Sequence, residues 1–151
     1  LGGTIMDFTI KPNSQGEISE VVVLDNTAIK MGSGKSPVYA TPALVALMEN
    51  AAILACESQL PEGYNTVGIA ISVKHLAATP IGLTVTAKAT LVEQDRKKLS
   101  FKIEAFDDAG KVGEATHDRF IIESAPSGSA EPAGSLPLAD LAAARLYSES
   151  K

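Results

Sequence analysis

The chain has 151 residues, enough for one domain with a sizeable core, and its 45% hydrophobic and 21% charged residues fit an ordinary soluble globular protein. A formal net charge of −5 leaves no basic footprint for nucleic acid, and a single cysteine, Cys56, excludes a disulfide framework or a cysteine-based zinc site within one chain. No apolar run is long enough to span a bilayer, so no membrane partner is expected, and with two histidines any metal site would rest mostly on carboxylates. No charged-then-apolar signal stretch opens the chain, which begins at Leu1. A reducing, cytoplasmic setting is the expectation.

TIMDFTI (4–10) alternates polar and apolar residues and ends at Lys11-Pro12-Asn13, which predicts a strand and a turn. ISEVVVLD (18–25), with its β-branched centre, predicts a second strand. NTAIKMGSGKSP (26–37) is polar and glycine-bearing and reads as a loop. TPALVALMENAAILACESQL (41–60) is the one strong helix signal: Thr41 suits the N-cap, Pro42 the first helical position, and the body is rich in Ala, Leu and Met. It is apolar almost all round, so the rest of the fold should bury it. Pro61, Glu62 and Gly63 end it.

Four strands are predicted beyond it. Val67, Ile69, Ile71 and Val73 share a face in 66–75, as do Leu83, Val85, Ala87, Ala89 and Leu91 in 83–91. Leu99, Phe101, Ile103 and Ala105 do so in 99–105, and 111–123 alternates less cleanly. EQDRKK (93–98) and DDAGK (107–111) have the composition of hairpin turns, which implies an antiparallel meander. One apolar helix and one antiparallel sheet with an apolar face have an obvious solution, an α+β fold in which the sheet wraps the helix. After Ser124 the chain turns rich in Ala, Pro, Ser and Gly. A domain over 1–124 and a flexible tail over 125–151 are expected, the tail carrying a possible short amphipathic helix at 138–150.

Among polar residues, His75 falls by parity on the strand face that should meet the helix, at the strand end before Ala-Thr-Pro-Ile-Gly. It is either a functional group at the core margin or a core histidine satisfied by a carbonyl. Glu49 is the lone charge between Lys35 and Glu57, mid-helix among apolar neighbours, and is either a functional carboxylate or part of a narrow solvent stripe. Thr41 reads as a cap, or as an oxyanion donor together with the helix N-terminus. Gly34-Lys35-Ser36 resembles the end of a phosphate loop, but Ile29 stands where its first glycine belongs, so no nucleotide site is expected. Cys56 reads as a small buried hydrophobe. His117 and Arg119, sharing one face of a presumed edge strand, read as a solvated face, although such an Arg could bind a carboxylate or phosphate.

Three stretches carry a resemblance to the hotdog-fold thioesterases, and most closely to the fluoroacetyl-CoA thioesterase-like family. They are YATPALVALMENAA (39–52), VGIAISVKHLAATPIGLTV (67–85) and GEATHDRFII (113–122), within a likeness that covers about residues 4–123. The resemblance implies a long helix wrapped by a curved antiparallel sheet, a homodimer or larger homo-oligomer with sheets joined edge to edge, and active sites at the dimer interface. It also implies Thr41, Glu49 and His75 as the catalytic constellation, Gly68 and Arg119 beside the substrate, and no metal or cofactor beyond the coenzyme A of an acyl-CoA substrate. The family's aromatic lid residue has no counterpart here, since no Phe or Tyr lies between Phe8 and Tyr39, so a small or medium acyl-CoA is expected rather than fluoroacetyl-CoA in particular. A non-catalytic acyl-CoA-binding module and a hotdog dehydratase are the rival readings. Hydrolysis needs a base, a nucleophile and an oxyanion donor; His75 suits the first, while Thr41, Glu49 and water compete for the second.

Overall fold

A computed structural model describes residues 7–124. The strands are β1 (Gln15–Val21), β2 (Tyr64–His75), β3 (Thr84–Asp95), β4 (Lys98–Asp107) and β5 (Gly110–Glu123); the helices are α1 (Ala28–Met31) and α2 (Thr41–Cys56). The five strands form one antiparallel sheet in the order β1-β3-β4-β5-β2, and all five touch α2. The predicted helix wrapped by an antiparallel sheet is therefore what forms.

The hairpins fold where composition placed them. Asp95 pairs with Lys98 across a two-residue turn, with Arg96 in the left-handed region at φ 56°. Asp107 pairs with Gly110, and its Oδ1 accepts from the amides of Ala109 (2.8 Å) and Gly110 (3.2 Å), closing the turn. The inward faces of β3 and β4 supply Val85, Ala87, Ala89, Leu91, Leu99, Phe101, Ile103 and Ala105, all buried against α2. β1 crosses α2 so closely that only Gly16 fits: a Cβ there would collide with the backbone of Ala51 and Ala55.

Several expectations need correction. Residues 7–10 are not a strand, residues 4–6 lie outside the described range, and the loop at 26–37 contains α1, capped by the Thr27 side chain and ended by Gly32 at φ 80°. The main helix ends at Cys56, and a 3-10 turn follows at Glu57–Gln59. The four later strands are not a simple meander. β2 pairs with β5 at the far edge, so Leu76–Leu83 must cross the sheet end past β5 and β4 to start β3. The Ala-Thr-Pro-Ile-Gly break is that crossover. It is held where Tyr39 N donates to Thr79 O (2.8 Å) and Thr79 Oγ1 donates to Asp107 Oδ2 (2.7 Å).

Parity along β2 also fails. A bulge between Gly68 and Ala70 inserts Ile69 and flips the pleat. Ile71 and Val73 pack against the core, whereas Val67 is exposed on the other face and Gly68 points toward α2. The helix itself keeps one uncovered stripe: Pro42, Ala46, Asn50 and Leu54 are exposed at i, i+4 spacing, with Glu49 at its margin. The predicted tail helix at 138–150 and the tail boundary lie outside the described residues.

Candidate active site

The N-cap of α2 is Ala40, whose backbone N donates to Asn26 O (2.9 Å); Thr41 is the first helical residue. Its hydroxyl is thereby released from the capping role that the sequence suggested. Instead, Thr41 Oγ1 lies 2.8 Å from His75 Nδ1. The two residues belong to α2 and β2, and the strap 38–40 that leads into α2 is tethered on both sides, Val38 bridging Pro80 and Tyr39 bridging Thr27. Tyr39 is buried; its hydroxyl donates to Glu20 Oε2 (2.5 Å) and lies 3.2 Å from Ala43 O, which locks the helix start onto β1. Burial and the Glu20 carboxylate push the Tyr39 phenol well above its ordinary range.

The pair opens into a recess of about 310 Å³, walled by Ala28 and Ser33 from the α1 region, by Tyr39, and by Ala77 and Ala78 from the crossover. His75 Nε2 is buried and has no hydrogen-bond partner among the described residues. Burial lowers the His75 pKa below its usual value, because water no longer stabilises the imidazolium. A neutral imidazole at neutral pH can accept a proton, and here it sits beside a hydroxyl at the positive end of a helix.

Glu49 is placed elsewhere in the chain. It lies eight residues along α2 from Thr41, about 12 Å at the helical rise, and its contact is with Arg119: Nη1 to Oε2 is 3.7 Å. Glu49 and His75 were expected to face one pocket from packed elements; within a single chain they do not touch. Arg119 is only 5% exposed. Its Nε donates to Thr66 Oγ1 (2.7 Å), its Nη2 to Thr66 O (3.0 Å), and its Nη1 lies 3.1 Å from His117 Nε2. Thr66 is anchored in turn by Glu57 Oε2, which accepts from its amide (3.1 Å) and its hydroxyl (2.7 Å). Burial lowers the Arg119 pKa, and the Glu49 and Glu57 carboxylates oppose that shift.

Gly68 completes this second cluster. A Cβ there would stand 2.7 Å from Glu49 Oε2, 3.1 Å from His117 Cε1 and 3.2 Å from Arg119 Nη1, so β2 approaches Glu49 only because position 68 has no side chain. The expectation of a solvated edge for His117 and Arg119 is overturned. β5 lies between β4 and β2, and both side chains are buried, with His117 at 2% exposure. The signal was available in the parity of β5, where Ala115 and Ile121 share the face of His117 and Arg119 and all four are buried. Cys56 is the small buried residue expected: its Sγ donates to Ala52 O (3.3 Å), and burial pushes its thiol up to about 12, out of reach of thiolate chemistry. No group of three or more His, Cys, Asp or Glu side chains is arranged to hold a metal among the described residues. No described helix is long and apolar enough to cross a membrane.

A long helix cradled by a five-stranded antiparallel sheet is the scaffold of the hotdog thioesterase superfamily. A Thermus thermophilus hypothetical protein described as a thioesterase superfamily member shares this fold at TM-score 0.74, with 22% identity over 93% of this chain and 96% of that one. The chain belongs to the fluoroacetyl-CoA-specific thioesterase family, whose model matches residues 22–125. The curated fluoroacetyl-CoA thioesterase of Streptantibioticus cattleyicolor is 42% identical over 85 residues, 56% of this chain, and the match spans 61% of that relative's length. Solved structures of a fluoroacetyl-CoA thioesterase superpose at TM-score 0.69 with 34% identity, covering 76% of this chain and 90% of theirs. A variant of that enzyme has been solved in complex with fluoroacetate and CoA.

Proposed function

We propose that this chain is an acyl-CoA thioesterase that hydrolyses a small or medium acyl thioester to the free acid and thiol. Family membership supports the reaction class. The observation that carries the site assignment is the 2.8 Å contact between Thr41 Oγ1 and His75 Nδ1 at the rim of the recess. With Thr41 donating, His75 is the base for a hydroxyl nucleophile. Attack on the thioester carbonyl moves the hydroxyl proton to His75, which returns it to the departing thiolate. Water then attacks the Thr41 ester, the Glu49 carboxylate takes its proton, and that proton returns to Thr41 Oγ1 as the C–O bond breaks and the acid departs. The amide dipoles at the start of α2 favour the developing oxyanion.

The constellation is completed in a homodimer. β2 is a twelve-residue edge strand without a partner on its outer side among the described residues, a state that proteins normally cover. The uncovered stripe of α2, with Ala46 and Leu54 beside Glu49, offers a second apolar surface next to the same carboxylate. Pairing through β2 would join the two sheets edge to edge and seat Glu49 at the interface. Beside Tyr39, the described walls next to Thr41 include the small side chains of Ala28 and Ser33. That fits a small or medium acyl group.

A thiol-release screen across acyl-CoA chain lengths tests the reading. Thr41→Ala, His75→Ala and Glu49→Gln should each remove most turnover of the preferred acyl-CoA while the fold persists. Near-parental turnover in all three would remove the site assignment. A ligand-dependent rise in melting temperature without thiol release would leave a binding module, and loss of water from a 3-hydroxyacyl thioester a dehydratase.

A further inference from the structure

His117 belongs to neither the catalytic constellation nor the expected substrate contacts, yet it is among the most buried polar side chains, at 2% exposure. A histidine in such a place must satisfy both ring nitrogens or lose the hydration of one. It satisfies both, and on two different elements. Nδ1 lies 2.8 Å from Ala70 O, the first residue after the β2 bulge, and Nε2 lies 3.1 Å from Arg119 Nη1. A carbonyl can only accept and a guanidinium can only donate. The tautomer is thereby set: Nδ1 carries the proton and Nε2 is the acceptor.

The consequence falls on Arg119. Thr66 holds its Nε and Nη2, which fixes one side of the guanidinium fork. Nη1 has two hydrogens. One is bound by His117 Nε2, and the planarity of the group keeps the other off that nitrogen, while Glu49 Oε2 lies at an ion-pair distance of 3.7 Å from Nη1. Glu49 is more than one-third exposed, and Arg119 is its only charged contact among the described residues. The orientation of this carboxylate is therefore passed along a chain that begins at the β2 bulge.

We propose that His117 is a positioning residue for thioester hydrolysis: by accepting from Arg119 Nη1 and donating to Ala70 O, it aims the guanidinium that fixes the Glu49 carboxylate. The inference rests on the proposed role of Glu49, but its geometry is testable apart from it. Two substitutions separate the halves of the ring. In His117→Asn the short amide reaches the position of Nδ1, keeping the bond to Ala70 and losing the acceptor for Arg119. In His117→Gln the longer amide reaches the position of Nε2, so its oxygen restores that acceptor.

The experiment pairs kinetics with NMR of the Arg119 guanidinium on the full chain. His117→Asn should lower kcat by on the order of tenfold to a hundredfold with little change in KM, the range expected for a misaimed catalytic group. His117→Gln should recover most of kcat at a similar melting temperature. Hindered, slowly exchanging Arg119 Nη1 protons should be seen in the parent and in His117→Gln and should be lost in His117→Asn. Equal losses of kcat in both variants, tracking their melting temperatures, would show a purely structural role and overturn the proposal; so would unaltered Nη1 protons in His117→Asn. A parent that cleaves no acyl-CoA would remove the thioesterase reading, while the Nη1 signals would still decide whether His117 holds the guanidinium.

Discussion

Gly68→Ala isolates the geometry of the second cluster. A Cβ at this position would lie 2.7 Å from Glu49 Oε2, whereas ordinary van der Waals contact begins near 3.4 Å, so the oxygen must retreat by about 0.7 Å. His117 Cε1 and Arg119 Nη1, at 3.1 and 3.2 Å, sit too close to absorb the shift on the other side. Glu49 Oε2 is the far end of a flexible, partly exposed side chain, so the carboxylate moves and the backbone stays. The stability cost of reseating it should be about 1 kcal/mol or less, and alanine recovers about 0.4–1 kcal/mol by narrowing the unfolded ensemble. The melting temperature should therefore shift by no more than about 4 °C. Catalysis has no such compensation, because a carboxylate displaced by the better part of an ångström loses on the order of tenfold to a hundredfold in rate. Thiol release by the variant should thus show a depressed kcat, a KM near the parent's and a nearly unchanged thermal transition. A variant with full kcat would refute the reasoning, and so would one whose loss of activity merely follows a collapsed transition.

Gly16→Ala is the opposite case: its Cβ would meet the α2 backbone at Ala51 and Ala55, which cannot yield, so it should cost about 3 kcal/mol or more in chemical denaturation. Glu49→Leu should destabilise by about 1–2 kcal/mol because it strands the buried Arg119, while Glu49→Gln, which keeps an acceptor, should cost less in the same denaturation series. Burial lowers the pKa of both His75 and His117, so the unfolded chain binds their protons first as pH falls. Stability should be full above the ordinary histidine pKa near 6.5 and decline below it, and His117→Gln should flatten that decline in melting curves taken from pH 7 to 5. For the same reason, the acid limb of the thiol-release pH profile should lie below 6.5. Light scattering should return about twice the 15.7 kDa chain mass, whereas a monomer at assay concentration would remove the edge-to-edge arrangement.

Much of the fold was legible in the residues because it follows local rules. The apolar helix with Pro42 in its first turn, the alternating strands β3 and β4, and the two hairpins read from periodicity and turn chemistry, which act over a few residues. The three family-like stretches located Thr41, Glu49, His75, Gly68 and Arg119. What failed was non-local. A single inserted residue at Ile69 reversed the parity of half of β2, and no pattern within that strand announces it. The pairing of β2 with β5 placed β5 inside the sheet, turning His117 and Arg119 from a presumed solvated face into a buried network.

The sequence by itself determined the main helix and the strands that follow it, which residues can move a proton, and that one carboxylate and one imidazole lie among apolar neighbours. Only the tertiary structure decided who meets whom. Thr41 turned from cap to partner of His75 because the helix began one residue earlier than capping preference indicated. Glu49 was assigned to Arg119 because Gly68 lets β2 come close enough to confine it there. Propensity and periodicity are set by each residue's own neighbours along the chain, whereas these contacts depend on sheet order, one bulge and one missing side chain, which combine only when strands distant in sequence pack on a common helix.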